Sequence, residues 1–202
     1  MLDADALAAV RCAVAAPNRG SEATCGCGLH GAGDAAERRI ASALMGHAGF
    51  FRAALPRRIL RLTISRHTGG MGQGRHVVAA SADAHRVDLG FTLFLSDPLD
   101  YDRGELIVES NAGWESHKHA AGDLLLYPAR YVHSVAPVTR GTRLVAVGWV
   151  ESLTPSAERR EVLGDLDAAL SLLDESCGRT DARLRIENAR ANLVRLWLGG
   201  GA

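Results

Sequence analysis

Apolar and polar positions along the chain fall into three regimes. Near the start, Ala6-Leu7, Val10 and Val14 recur at helical spacing, which predicts a helix over about 3–16 that Pro17-Asn18-Arg19-Gly20 ends. A glycine-rich stretch from Ser21 to Gly33 has no period and reads as loop. Ile40, Leu44, His47 and Phe51 then lie three or four apart and predict a second helix over about 34–51, with Asp34 as its N-cap. After Pro56 the period drops to two. Leu60, Leu62 and Ile64 alternate with polar residues, the pattern of a half-buried strand. Further short strands are predicted near 75–80, 87–96, 104–109, 114–118, 123–127, 131–136 and 142–151. Turn signals such as Asp97-Pro98, Asp102-Arg103-Gly104, Asn111-Ala112-Gly113 and Arg140-Gly141 separate them. Helical spacing then returns. Thr154 as cap and Pro155 at the first helical position start a helix with the stripe Leu163, Leu166, Leu170 and Leu173. A break over 174–180 precedes a last helix over about 181–197.

Helices, then many short strands, then helices imply an α+β fold whose centre is a sandwich or jelly roll. The expected organisation is an N-terminal helical region over 1–58 packing on the core, a β-core over 59–152 and C-terminal helices over 153–202.

Composition narrows the function classes. The 23 basic and 23 acidic side chains balance, so nothing favours a nucleic-acid or anionic-membrane partner. No apolar run is long enough to span a bilayer. The acidic start Met1-Leu2-Asp3-Ala4-Asp5, with Arg11 interrupting the apolar residues behind it, does not resemble a secretory leader, so a cytoplasmic location is expected. Cys12, Cys25, Cys27 and Cys177 form neither a disulfide framework nor paired zinc knuckles. Cys25-Gly26-Cys27 with His30 is a weak candidate for a soft metal, and a loop with free thiols is the simpler reading.

The residues with most chemical content are His76, His133 and Arg143. Histidines on two strands at the open end of a jelly roll can face one metal. The facial arrangement that binds Fe(II) adds a carboxylate two residues after the first histidine, on the same strand face. An arginine offers a rigid fork for the distal carboxylate of a dicarboxylate. A turn at Arg140-Gly141 would double the chain back and return Arg143 alongside His133. The simpler alternatives are structural histidines and an arginine paired with a surface acid. His117-Lys118-His119 reads as an exposed polar strand face. The glycines of 69–74 lack the helix and lysine of a phosphate loop. Trp114, Trp149 and Trp197 read as core.

Several runs carry a resemblance to a known family. They are Asp88-Leu89-Gly90-Phe91-Thr92-Leu93-Phe94-Leu95-Ser96-Asp97-Pro98, Asp100-Tyr101-Asp102-Arg103-Gly104-Glu105-Leu106, Ala121-Gly122-Asp123-Leu124-Leu125-Leu126-Tyr127-Pro128, His133 through Arg143, and Gly148-Trp149-Val150-Glu151-Ser152. Together they resemble the PKHD-type hydroxylases, a bacterial branch of the iron(II)- and 2-oxoglutarate-dependent dioxygenases related to prolyl hydroxylases. Ala23-Thr24-x-Gly26, Ala54-Leu55-Pro56-Arg57-Arg58-Ile59 and Asn192-Leu193-Val194-Arg195-Leu196-Trp197 extend the likeness to both ends. The resemblance implies a double-stranded β-helix (a jelly roll). It implies Fe(II) held by His76 and His133, and 2-oxoglutarate held by Arg143 with Tyr127 beside it, with these residues as the catalytic set. It also implies ascorbate use, and hydroxylation of an amino acid, a peptide residue or a small metabolite. Assembly as a homo-oligomer is left open.

The departures from the family cluster at the first histidine. Val78 stands where the family has aspartate. His67 and Gln73 replace tyrosines nine and three residues before His76, and the segment between His76 and Arg86-Val87-Asp88 is short. Four readings follow. The centre works with two histidines and 2-oxoglutarate, either as a hydroxylase or as a halogenase, since related halogenases have a small alanine or glycine here that leaves room for chloride, although valine is bulkier. Alternatively, another group (His67, Asp83, His85 or Asp88) replaces the acid. In the third reading the iron site is lost and the fold serves as a catalytically silent binding module. In the fourth, Val78 is an altered residue in an active background, and the divergence at 67 and 73 argues against that.

Overall fold

The computed structural model describes residues 33–176 and 180–198. The expected first helix, the Cys25-Cys27-His30 cluster, Cys12 and Cys177 lie outside them. Helix α1 (Gly33–Gly46) and helix α2 (Ala48–Ala54) lead into strand β1 (Pro56–His67). Strands β2 (Gln73–His76), β3 (Ser81–Ala82), β4 (His85–Arg86), β5 (Leu89–Phe94), β6 (Tyr101–Arg103) and β7 (Leu106–Ser110) follow. Then come β8 (Gly113–His117), β9 (Leu124–Pro128), β10 (Val132–Val135), β11 (Val138–Gly141) and β12 (Arg143–Ser152), and last the helices α3 (Ala157–Ser176) and α4 (Asp181–Leu198).

Two four-stranded antiparallel sheets, in the orders β1-β12-β5-β9 and β2-β10-β7-β8, form a jelly roll. Alternation along each strand divides the apolar residues between two layers. One face of the larger sheet carries Ile64, Leu89, Phe91, Leu93, Ala146 and Val150, and packs against Ala36, Ile40, Leu44 and Phe50 of the first two helices. The opposite face looks toward the smaller sheet. There a smaller cluster of Leu106, Val108, Tyr127 and Val135 closes one side of the intersheet space. The remainder of that space is the cavity described below.

Several expectations need correction. Gly33 is already part of α1, so Asp34 lies within the helix and not at its cap. The strand expected at 75–80 ends at His76, and residues 77–80 carry no strand pairing. The start of α3 is capped by Ser156, whose hydroxyl accepts from the Arg159 N–H at 3.1 Å, and not by Thr154. Thr180 caps α4 in the same way, through Arg183 N–H. Trp114 is 57% exposed and Trp149 and Trp197 are half-buried, so none of the three is core. His117-Lys118-His119 is half-buried, not an exposed face: Lys118 donates to the Tyr101 carbonyl and sits over its ring, and His119 packs edge-on to Phe94. Among the described residues no helix is long and apolar enough to cross a membrane.

Candidate active site

A cavity of about 460 Å³ opens between the sheets. His76 and His133 line it from the smaller sheet, and His67, Tyr127 and Arg143 line it from the larger one.

The two histidines are register partners across β2 and β10, and their ring centroids are 4.2 Å apart. Each ring is fixed by its own backbone. His76 Nδ1 lies 2.9 Å from the Gly74 carbonyl and His133 Nδ1 lies 3.1 Å from the Tyr131 carbonyl. A carbonyl only accepts, so both Nδ1 atoms carry the proton and both Nε2 atoms keep a free lone pair. Two such nitrogens side by side are what a metal needs from neutral imidazoles. Burial pushes His133 below the usual histidine value. The neighbouring His76 pushes the same way, against the Tyr131 carbonyl, and His133 stays neutral and able to ligate.

Arg143 is the largest fully buried side chain, only 1% exposed. Burial holds it below the usual arginine range. The groups that oppose this are the phenols of Tyr101 and Tyr127, not a carboxylate. Its Nε has no hydrogen-bond partner, and neither does the buried Tyr101 hydroxyl. Gly104, at φ +72°, lets the arginine stem pass: a Cβ there would sit 3.1 Å from Arg143 Cδ and 2.8 Å from Val138 Cγ2. A buried guanidinium without an acid is costly for a fold on its own. It is the arrangement expected where an anionic ligand completes the charge pair.

The route by which Arg143 reaches the cavity differs from the sequence expectation. The chain does turn at Arg140-Gly141, but β11 pairs with β6, through Val138–Arg103, Arg140–Asp102 and Gly141–Tyr101, and not with β10. Arg143 then begins β12 in the opposite sheet, as the register partner of His67. It faces the histidines across the cavity and does not lie alongside His133 on a neighbouring strand. His67, 6% exposed, is a site residue whose part the sequence left open. Burial and the adjacent Arg143 lower it to about 4, and its Nδ1 is unpartnered. The signal was in the sequence, as the substituted tyrosine position, but the partner was not.

Among the described residues no acid completes the metal face. Val78 lines the cavity two residues beyond His76. The described residues contain no cluster of three or more histidine, cysteine or acidic side chains able to hold a metal. Asp88 accepts from the Ser152 N–H at 2.9 Å and pairs with Arg86. His85 lies 3.0 Å from Arg58, and Asp83 sits exposed at a turn with φ 48°. None of these three lines the cavity. His67 does, but on the Arg143 side. The residues present therefore fit a dicarboxylate and supply two nitrogen donors for a metal. The third, anionic donor of a facial triad is absent from the chain at this position.

Comparison with known proteins identifies the lineage. No family model matches the chain. A PKHD-type hydroxylase of Maricaulis maris (strain MCS10) is 43% identical over 164 residues, 81% of this chain and 75% of that protein. One from Acaryochloris marina (strain MBIC 11017) is 45% identical over 161 residues, covering 80% and 74%. One from Parvibaculum lavamentivorans is 47% identical over 156 residues, covering 76% and 70%. Among solved structures, HygX from Streptomyces hygroscopicus, with nickel and 2-oxoglutarate bound, superposes with TM-score 0.55 at 14% identity over 76% of this chain and 81% of that one. The non-haem α-ketoglutarate-dependent epimerase SnoN superposes with TM-score 0.54 at 19% identity, over 76% and 75%. These structures share the fold. With relatives above 40% identity spanning most of both chains, the chain belongs to the PKHD-type hydroxylases.

Proposed function

We propose that this protein is an iron(II)- and 2-oxoglutarate-dependent dioxygenase that hydroxylates an amino acid, a peptide residue or a small metabolite. The observation that carries this reading is Arg143: a nearly inaccessible cation without an acidic partner, on the cavity wall opposite two histidines with free Nε2 atoms. Arg143 binds and orients the distal carboxylate of 2-oxoglutarate, with Tyr127 beside it. His76 and His133 would hold the metal through Nε2, since their Nδ1–carbonyl bonds fix the rings with that nitrogen free. Iron, when bound, supplies oxygen activation coupled to oxidative decarboxylation of the co-substrate. Val78 would give a metal neither a ligand nor a negative charge, and none of the described residues beside it would supply one, so a bound anion such as the co-substrate would complete the face.

The test is succinate formation by the purified protein with Fe(II), 2-oxoglutarate and oxygen. His133→Ala and Arg143→Gln should each abolish it. A second reading, a catalytically silent relative that binds a small carboxylate, is favoured by the departures clustered at the first histidine, above all Val78. It predicts 2-oxoglutarate binding with no succinate and no bound iron.

A further inference from the structure

The described residues that line the cavity are basic, polar and apolar, and none is aspartate or glutamate. Its second cation is Arg61. Strand β1 faces the cavity with Arg61, Thr63, Ser65 and His67. These alternate positions share one face of the strand. Their register partners on β12 are Trp149, Val147, Val145 and Arg143. The pair β1–β12 thus forms one continuous wall with an arginine at each end. Arg143 is buried beside His67, and Arg61 is exposed beside Trp149, six residues or about 20 Å along the strand.

Arg61 differs from the other arginines near it. Arg58 pairs with Glu151 at 2.9 Å, Arg86 with Asp88 at 3.3 Å, and Arg75 with Glu109. Arg61 has no acidic partner among the described residues. Its guanidinium lies over the Trp149 ring, 5.4 Å from the centroid. That contact uses one face of the planar group and leaves its N–H edge free to grip a carboxylate. Val78, two residues beyond His76, adds no negative charge to the same cavity. An acid-free cleft with low-dielectric walls concentrates positive potential and selects anions.

We infer that the substrate hydroxylated here is a small carboxylic acid, its carboxylate held by Arg61 at the open end and its apolar body against Trp149. This rests on the assignment of the buried Arg143 end to 2-oxoglutarate. With the co-substrate anchored there, the substrate's anionic group belongs at the other arginine. The reacting carbon then lies within the cavity that His76 and His133 also line. Among the described residues that line the cavity none is acidic, so a carboxylate there meets no opposing charge, whereas a cationic or neutral ligand of the same shape leaves Arg61 without its pair.

The experiment uses 3-phenylpropionate and its neutral isostere 3-phenylpropanamide as probes. The Trp149 indole N–H signal, assigned with Trp149→Phe, reports binding by NMR, with and without saturating 2-oxoglutarate. The acid should shift this signal at a Kd about tenfold or more below that of the amide. Arg61→Gln should erase the difference, and Arg61→Lys should keep part of it. The 2-oxoglutarate affinity of Arg61→Gln should stay within about twofold of the parent, since Arg143 is untouched. Equal binding of acid and amide, a preference that survives Arg61→Gln, or no Trp149 response to the acid up to about 20 mM overturns the inference. The arms are separable. If 2-oxoglutarate fails to bind but the acid binds through Arg61, the co-substrate assignment falls and the anion site stands.

Discussion

His67 and Arg143 face one another as register partners of β1 and β12. Each buries a nitrogen, His67 Nδ1 and Arg143 Nε, that no group of the described residues satisfies. Without a ligand the protein carries the cost of a buried cation with no acidic partner. Arg143→Met should therefore leave a folded protein at least as stable as the parent, with a gain on the order of 1–4 kcal/mol. In the parent, 2-oxoglutarate at a hundred times its Kd should stabilise by about 2.7 kcal/mol. Thermal unfolding with and without 2-oxoglutarate checks both: the ligand-induced rise in Tm should vanish in Arg143→Met.

The same pair sets a pH dependence. His67 titrates at about 4 in the folded protein and at the ordinary 6.5 when unfolded. Between these values the unfolded chain binds more protons, so stability is full above about 6.5 and falls as pH drops toward 4. His133, also lowered by burial, contributes in the same direction. Urea unfolding at pH 7 and pH 5 should show a smaller loss in His67→Gln than in the parent. An equal loss in both would mean His67 is not held neutral by burial.

Adding the missing acid should strengthen metal binding. Val78 lines the cavity beside His76, so Val78→Asp should raise metal affinity by at least about tenfold, the scale of a single supporting interaction. Competition with a chelating dye measures it. Unchanged affinity would mean that position 78 does not face the metal.

The wall carrying Arg61 depends on Gly148. A Cβ at this position would lie 2.4 Å from Phe91 Cζ and 2.5 Å from the Arg61 carbonyl oxygen. Gly148→Ala should destabilise by about 1–3 kcal/mol through overpacking. Chemical denaturation should show this as a lower midpoint at unchanged slope.

What the sequence made legible was what depends on local pattern. Alternation at Leu60, Leu62 and Ile64 marked β1, and turn residues bracketed most of the other strands, because side-chain direction and turn geometry are short-range properties. His76, His133, Tyr127 and Arg143 were found from spacing and family likeness, and they do line one cavity. Long-range pairing was not legible. That β11 joins β6, sending Arg143 to the opposite sheet beside His67, follows from contacts between segments far apart in the chain. The place of Arg61 was hidden for the same reason. Its partner Trp149 lies 88 positions away, and only the β1–β12 register brings the two together. The caps at Ser156 and Thr180 show the limit of start signals, since Thr154-Pro155 matched the rule equally well and the hydroxyl two residues later made the bond.

Anaerobic equilibrium dialysis of the parent, His76→Ala and His133→Ala against Fe(II), with and without 2-oxoglutarate, tests the central claim most directly. Two histidines with free Nε2 atoms, one anion-seeking arginine and no acid predict about one iron per chain in the parent, bound more tightly when 2-oxoglutarate is present. Both alanine variants should lose it. No bound iron in the parent at any 2-oxoglutarate concentration, or iron retained in the alanine variants, would contradict the account.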